Sequence, residues 1–229
     1  MHVPDGFLDA PTSLATAGVA AAGVAVALRG ARRELDDRTA PMAGLVATFV
    51  FAAQMITFPI GAGTSGHLLG GALAAVLVGP WSAVLCLSVV LGVQALLMAD
   101  GGITALGTNI TLLGLVTVVV GWGVFVALRR VLPKRTALVA PAAAVGAFAS
   151  VPVAALVFTG LFAVGGNAPV DLSAVVVAML AWHTAIGLGE AAITGLVVAS
   201  IVAVRPDLVH GARPLLAHRE LEVREVATS

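Results

Sequence analysis

The charged residues of this chain are confined to short segments, and the long stretches between them carry almost none. All 12 Lys and Arg residues fall in three clusters of four, at 29–38, 129–135 and 205–224. Apolar residues make up 59% of the chain and charged residues 10%, against about 45–50% and about 25% in soluble domains. A soluble domain this apolar would lack polar cover for its surface, so the class of soluble enzymes is excluded. The single cysteine, Cys86, leaves no disulfide within the chain.

The acidic residues are distributed differently from the basic ones. Four of them, Asp5, Asp9, Asp100 and Asp171, lie in segments that contain no Lys or Arg. Short loops rich in Lys and Arg stay on the cytoplasmic side of a membrane, whereas acidic residues contribute little to orientation. The three basic clusters are therefore predicted to be cytoplasmic, and the segments 1–10, 60–66 and 165–171 to lie outside. This places the N-terminus outside and the C-terminus in the cytoplasm.

The apolar runs between these segments predict an all-α polytopic membrane protein with seven transmembrane helices. A single transmembrane domain is expected over residues 1–204, followed by a polar cytoplasmic tail, 205–229. The odd number of spans between 66 and 129 follows from the predicted sides of those segments. One long helix over 67–98, kinked at Pro80, is the alternative, but it would place the second basic cluster outside. The predicted spans are about 12–28, 40–59, 67–79, 81–98, 103–128, 136–164 and 172–204.

The predicted span 67–79 is too short to cross a bilayer. Thirteen residues rise about 20 Å as a helix, against about 30 Å of hydrocarbon. We expect His67 to begin this helix, directly after the glycine-rich and uncharged segment 60–66. Short spans interrupted by Gly or Pro indicate a transporter binding site, because irregular backbone at membrane depth must be buried or line a cavity. A plain surface loop is the alternative interpretation of 60–66.

The N-terminus has no basic region before its first apolar run, so it is not predicted to be a signal peptide. Pro4-Asp5-Gly6 predicts a turn that folds the N-terminus back outside the membrane. If Met1 keeps its free amine, that amine, the His2 amide nitrogen and His2 Nδ1 can chelate one metal ion in a plane. Square-planar nitrogen ligation is typical of Ni(II) and Cu(II), and His67 is the candidate fourth donor. A histidine at position two can also occur by chance.

Four separated motifs resemble one known family. They are MHVPDGFLDAP (1–11), PIGAGTSGHLLGGALAAVLVGPW (59–81), QALLMADGGITALGTNI (94–110) and HTAIGLGEAAIT (183–194). Together they are similar to the CbiM/NikM family, the substrate-capture (S) components of energy-coupling-factor (ECF) type nickel and cobalt ABC importers. The resemblance implies that Met1, His2 and His67 bind the metal. The Thr-Ser-Gly-His form at 64–67 is closer to the nickel members than to the cobalt members.

The resemblance also implies partners. A membrane coupling (T) component and ABC-type ATPase subunits are expected, because this sequence has no phosphate-binding loop of its own. The chain is thus expected to be a transport component and not an enzyme, with Ni(II) or Co(II) as transported ligand, no cofactor and no nucleic-acid partner. A small accessory membrane subunit, if used, would be a separate chain. The expected location is the prokaryotic plasma (inner) membrane.

The remaining polar residues have two interpretations each. Asp5, Asp100 and Asn109 could orient His2 or His67, although Asp5 and Asp100 also suit turns. His183 and Glu190 are seven residues apart and share one helix face. His183 could form the floor of the metal pocket or make a structural hydrogen bond, and Glu190 suits a structural or coupling role. A proton-coupled secondary metal transporter using both residues is the alternative function. A membrane-embedded metalloenzyme is a third possible function, but it would need an open coordination position, and a square of four nitrogen donors leaves no obvious place for one.

Overall fold

The computed structural model describes residues 1–35, 39–61 and 64–216 of the chain. The last thirteen residues of the predicted tail, 217–229, lie outside the described residues, and Arg219 and Arg224 are among them. Arg38 also lies outside the described residues. Within the described ranges, seven helices have eight or more residues. They are α1 (Ala10–Ala31), α2 (Ala40–Gln54), α3 (Gly71–Val78), α4 (Pro80–Leu97), α5 (Leu106–Val131), α6 (Val139–Gly165) and α7 (Leu172–Val204).

The helix boundaries follow local sequence signals. Asp9 begins α1, because its carboxylate accepts a hydrogen bond of 2.9 Å from the backbone N–H of Thr12. Pro80 opens α4 at a position where its missing N–H costs nothing. α5 contains a stretch of wide π-type turns, Ile110–Val116, next to its short first segment. Five helices (α1, α4, α5, α6 and α7) are long and apolar enough to cross a membrane, so the chain is a mostly helical multi-pass membrane protein.

Two local predictions are wrong. Helix α2 ends at Gln54, five residues before the predicted end of that span, and the chain then forms an antiparallel hairpin of β1 (Phe58–Gly61) and β2 (Thr64–Gly66). Helix α3 begins at Gly71, so His67 precedes the helix and does not open it. The left-handed Gly70, with φ of 80°, ends the irregular segment and lets the helix start. The strict all-α prediction thus misses one small hairpin.

The bundle has two chemically different ends. The acidic end carries Asp5, Asp9, Asp100 and Asp171, where the segments 1–9, 98–105 and 165–171 are joined by hydrogen bonds. The basic end carries the described members of the three Lys and Arg clusters. There Glu34, after α1, accepts hydrogen bonds from the backbone N–H and the hydroxyl of Ser82 at the start of α4, at 2.7 and 2.9 Å.

The segment 67–100 turns back on itself between these ends. His67 and Asp100 both contact His2 at the acidic end, whereas Gly79 packs against the Glu34 carboxylate at the basic end. Gly79 has φ of 97°, and a side chain there would collide with Glu34. Residues 67–98 therefore do not form a single helix that crosses the bundle once. Helix α3 instead runs to the basic end, with all eight of its residues buried, and α4 returns.

The packed part of the chain extends beyond the last long helix. Val209 and Ala212 are completely buried in the apolar core near the basic end. Gly211 lies against Phe125 of α5 and Val76 of α3, and the His210 ring lies 5.5 Å from that of Trp122. Residues 206–212 consequently belong to the folded bundle, past residue 204, where the sequence places the start of the tail.

Candidate metal-binding site

The N-terminal segment is inserted into the acidic end of the bundle. Met1 and Val3 are each 1% exposed, and His2 is 6% exposed. Phe7 anchors the segment further along, because its ring contacts Phe158 and Phe162 of α6 at centroid distances of 5.7 and 5.2 Å. The predicted turn at Pro4-Asp5-Gly6 does fold the chain back, with Gly6 at φ of 75°. The first residues are thereby held as part of the core.

Asn109 and the loop before α5 hold this segment in register. The Asn109 side chain accepts a hydrogen bond from Val3 N at 2.7 Å and donates to Val3 O at 3.1 Å. Gly102 N also donates to Val3 O, at 2.9 Å. Asp5 accepts hydrogen bonds from the backbone N–H and the hydroxyl of Thr104, which lower the pKa of its carboxyl. Asp5 and Asn109 therefore position the backbone around His2 and do not contact the His2 ring through these bonds.

Asp100 is the acidic residue that contacts His2 directly. Its Oδ1 lies 3.0 Å from His2 Nδ1, and this interaction lowers the pKa of the Asp100 carboxyl. The backbone around Asp100 is constrained, because Ala99 has φ of 52° and Gly101 has φ of 84°. At Gly102 a side chain would meet the Asp5 carboxylate at 2.3 Å. The Asp-Gly-Gly sequence thus allows the close approach of this turn to the N-terminal segment.

His67 stacks on His2. The ring centroids lie 4.3 Å apart, with 19° between the planes. His67 is 1% exposed, and its Nδ1 lies 2.7 Å from the carbonyl oxygen of Leu68. A ring nitrogen that faces a carbonyl oxygen must carry the proton, so the lone pair is on His67 Nε2. Within the described part of the chain, His67 Nε2 is buried and has no hydrogen-bond partner.

The segment that carries His67 is held from beneath by two buried side chains. Glu190 accepts hydrogen bonds from the backbone N–H groups of Leu69 and Gly70, the latter at 2.8 Å. Gln54 Nε2 donates to Leu69 O at 2.7 Å. Gln54 and Glu190 are 0% and 1% exposed. The carboxylate at 190 consequently supports the backbone of 69–70, next to His67, and Gln54 is a participant that the sequence did not indicate.

The Met1 amine completes the cluster. Burial lowers the pKa of this amine to about 4, against the opposing effect of the Asp100 charge. The amine is therefore uncharged at neutral pH, with its lone pair available. His183 is fully buried, donates from Nδ1 to Met179 O at 2.9 Å, and lies close enough to interact electrostatically with the amine and with His67. His183 and Glu190 both face the bundle interior, as expected for ionisable residues within an apolar helix.

The site offers nitrogen donors beside the Asp100 carboxylate. In the described residues, no group of three or more His, Cys, Asp or Glu side chains is arranged to hold a metal ion. A metal held here would need donors from the main chain, such as the Met1 amine and the His2 amide. A cavity of about 370 Å³ lies between the hairpin and the segment 99–101, and His2, Asp100, Pro59 and Ser65 are among its lining residues. His2 and Asp100 are therefore reachable from the acidic end.

Comparisons with known proteins identify the family of the chain. The CbiM family model, described as a cobalt uptake substrate-specific transmembrane region, matches residues 2–208. A protein of Haloquadratum walsbyi, whose name refers to metal transport, is 40% identical over 209 residues, which cover 91% of this chain and 93% of that protein. The fused nickel transport protein NikMN of Rhodobacter capsulatus is 34% identical over 236 residues, covering 97% of this chain and 68% of that protein.

A solved structure is also similar. The crystal structure of a transition metal transporter superimposes with a TM-score of 0.81 at 31% identity, covering 89% of this chain and 93% of that chain. The family match spans nearly all of the bundle, including His2, His67, Asp100, Asn109 and Glu190. On these grounds, the chain belongs to the CbiM family of membrane components for nickel and cobalt uptake.

Proposed function

We propose that this chain is the substrate-binding S component of an ECF-type ABC importer, and that it captures Ni(II), or Co(II), at the outer face. The donors are the Met1 amine, the His2 amide and imidazole nitrogens, and His67 Nε2. The observation that carries the proposal is the stacked pair of buried histidine rings, His2 and His67, within electrostatic reach of the buried Met1 amine. Four nitrogen donors in a square suit Ni(II), and the nickel transport name of a relative supports the same preference.

Chelation through His2 Nδ1 requires one rearrangement. In the structure this nitrogen faces Asp100, at 3.0 Å, and a nitrogen that ligates a metal cannot also donate to a carboxylate. The imidazole therefore exchanges Asp100 for the metal when the ion arrives. The Asp100 charge remains close to the cation, which favours binding of a dication. His183 supports the floor of the pocket, and Glu190 keeps the His67 segment in place.

The topology that we propose has seven membrane crossings, with the N-terminus outside and the C-terminus in the cytoplasm. A single transmembrane domain, 1–204, forms the metal-capture unit. The segregation of acidic and basic residues to opposite ends supports the orientation, since basic segments stay in the cytoplasm. A membrane T component and ABC-type ATPase subunits then supply the energy for release inward, with a separate accessory membrane subunit as a further partner.

The decisive experiment is a nickel titration of the purified chain beside a variant carrying one additional glycine before Met1. Mass spectrometry first establishes that Met1 is the mature first residue. The extension removes the terminal amine from the chelate and leaves every side chain unchanged, so we expect the affinity to fall at least 100-fold. A chain extended by one glycine after Ser229 is the matched control and should bind normally. Equal affinity in both extended chains would refute the site.

The proton-coupled alternative is tested separately. Nickel uptake into cells that co-express the ATPase subunits should require ATP hydrolysis by those subunits. Uptake that persists with an inactive ATPase, and that a protonophore alone abolishes, would instead favour a secondary transporter.

A further inference from the structure

A cavity at the basic end has a character unlike that of the metal site. It has a volume of about 360 Å³ and lies between the last turns of α5 and the segment after α7. Trp122 and Phe125 form part of an apolar wall, while Arg129, Arg130 and Lys134 also line it. The cavity therefore combines apolar surface with three cationic side chains at the end of a membrane helix.

Two nitrogen atoms in this lining are buried without a partner. They are Arg129 Nη2 and His210 Nδ1, for which no other group in the described ranges supplies a hydrogen bond. The other terminal nitrogen of Arg129 donates to Pro133 O at 3.4 Å, which directs the guanidinium across the end of the helix. Buried polar groups are nearly always hydrogen-bonded, so these two atoms indicate that the cavity accepts a ligand with hydrogen-bond acceptors.

The electrostatic surroundings favour an anion. Arg213 lies close enough to His210 to add positive charge. Glu34 is the carboxylate whose charge acts on His210, but its oxygens already accept hydrogen bonds from Trp81 and Ser82. Those donors occupy its oxygens without cancelling its charge, so the surroundings contain three cationic residues of the lining against this one carboxylate. Arginine guanidinium groups match the oxygens of a phosphate in geometry as well as in charge.

The position of the cavity distinguishes a lipid from a soluble anion. Val119 and Val131 on α5 are 66% and 79% exposed, so the flank of this helix presents apolar surface to the acyl chains. The cavity lies where α5 ends, and Leu215 and Pro214 are in its lining. An apolar helix of 26 residues that crosses a bilayer ends at the level of the headgroups, which is where we place the cavity. A free phosphate ion has no apolar groups that could pack against the apolar wall. The glycerol and first methylene groups of a phospholipid would cover this wall and remove it from water.

We propose that this cavity binds the phosphate headgroup of an anionic phospholipid, with Arg129 and His210 as its hydrogen-bond donors. The bound lipid joins the end of α5 to the segment 206–216 and so holds that segment against the bundle. This site is independent of the metal, because it lies at the opposite end of the bundle.

The test is native mass spectrometry and thermal unfolding of the purified chain, titrated with phosphatidylglycerol or phosphatidylcholine in detergent. We expect preferential binding of one phosphatidylglycerol and a higher unfolding temperature with it. The double variant Arg129→Gln, His210→Ala should weaken this binding at least ten-fold. The matched control, Arg32→Gln with Arg33→Gln, removes two exposed charges from the same end and should keep it. Lys134→Gln, a milder change in the lining, should weaken binding two- to five-fold, and retained nickel binding shows that each variant is folded.

Three results would overturn the proposal. Equal loss in the Arg32, Arg33 control would mean that any cationic surface attracts the lipid. The same stabilisation by millimolar inorganic phosphate would assign the cavity to a soluble anion. Normal lipid binding by the double variant, together with failure to assemble with the ATPase subunits, would assign the cavity to an acidic protein segment.

Discussion

Met1 contributes a backbone amine whose chemistry depends on its surroundings. In an unfolded chain this amine has a pKa of about 8.0, and burial lowers the pKa to about 4 in the folded chain. Between these values the unfolded chain binds a proton that the folded chain does not. The contribution of the amine to stability is therefore complete above pH 8 and is lost progressively as the pH falls towards 4.

This difference predicts a pH-dependent unfolding free energy. We expect the free energy of unfolding in detergent to fall by up to about 1.4 kcal/mol per pH unit from this group alone as the pH decreases from 7 to 5. Denaturant unfolding at a series of pH values measures it. The chain extended by one glycine carries an exposed amine and should show a shallower dependence. Identical slopes for the two chains would contradict the buried amine.

Asp100 is either a partner of His2 or only a turn residue, and one substitution distinguishes them. Asp100→Asn keeps the side-chain shape but removes the charge near the proposed cation. We expect nickel affinity to fall about 10- to 100-fold, because the negative charge that attracts the dication is lost. Asp171→Asn is the control, because Asp171 lies at the same end and bonds to Ser173, away from His2. An unchanged affinity for Asp100→Asn would leave Asp100 with the turn role alone.

At the scale of elements, the junction between the hairpin and α3 has no regular secondary structure and carries His67. Its backbone N–H groups at 69 and 70 precede the helix and are not bonded within it. The Glu190 carboxylate, on α7, accepts hydrogen bonds from both of these N–H groups. A carboxylate that is held by two backbone donors in a buried position acts as a structural support, and His67 depends on that support through the adjacent backbone.

Substitution of Glu190 tests this support and the proton-coupled alternative together. Glu190→Ala leaves two buried N–H groups without a partner, so we expect a loss of about 2–4 kcal/mol in stability and weaker nickel binding. Glu190→Gln keeps an acceptor oxygen and should recover part of both, measured by thermal unfolding and nickel titration. Glutamine cannot carry a proton. Uptake that is abolished in Glu190→Gln, despite normal nickel binding, would speak for proton coupling.

For the whole molecule, the two ends of the bundle make a prediction about sidedness. The chain has one cysteine, so a Cys86→Ser background allows single labelling sites. We expect Ser173→Cys, at the acidic end, to react with a membrane-impermeant maleimide from outside intact cells. Val131→Cys, which is 79% exposed at the basic end, should react only after the cells are opened. Labelling of position 131 from outside would contradict the seven-crossing topology.

Much of the architecture was predictable because it follows from one-dimensional patterns. Helix α7, 172–204, has the predicted bounds, and each end of the other long helices lies within three residues of the predicted end of its span. Membrane helices satisfy their backbone within a single apolar run, so the run itself marks the helix. The hairpin of β1 and β2 was not predicted, because its short strands pair with each other and show no helical or alternating pattern of apolar residues.

The sequence by itself determined where apolar helices form, that acidic and basic residues alternate between connecting segments, and which motifs match the CbiM family. Only the tertiary structure decided that Met1 is buried and uncharged, that Asp100 contacts His2 while Asn109 holds Val3, and that Glu190 supports the His67 segment. The physical reason is the range of the interactions. Hydropathy acts along one run of residues, whereas burial and hydrogen bonds join positions more than 100 residues apart, such as Val3 and Asn109.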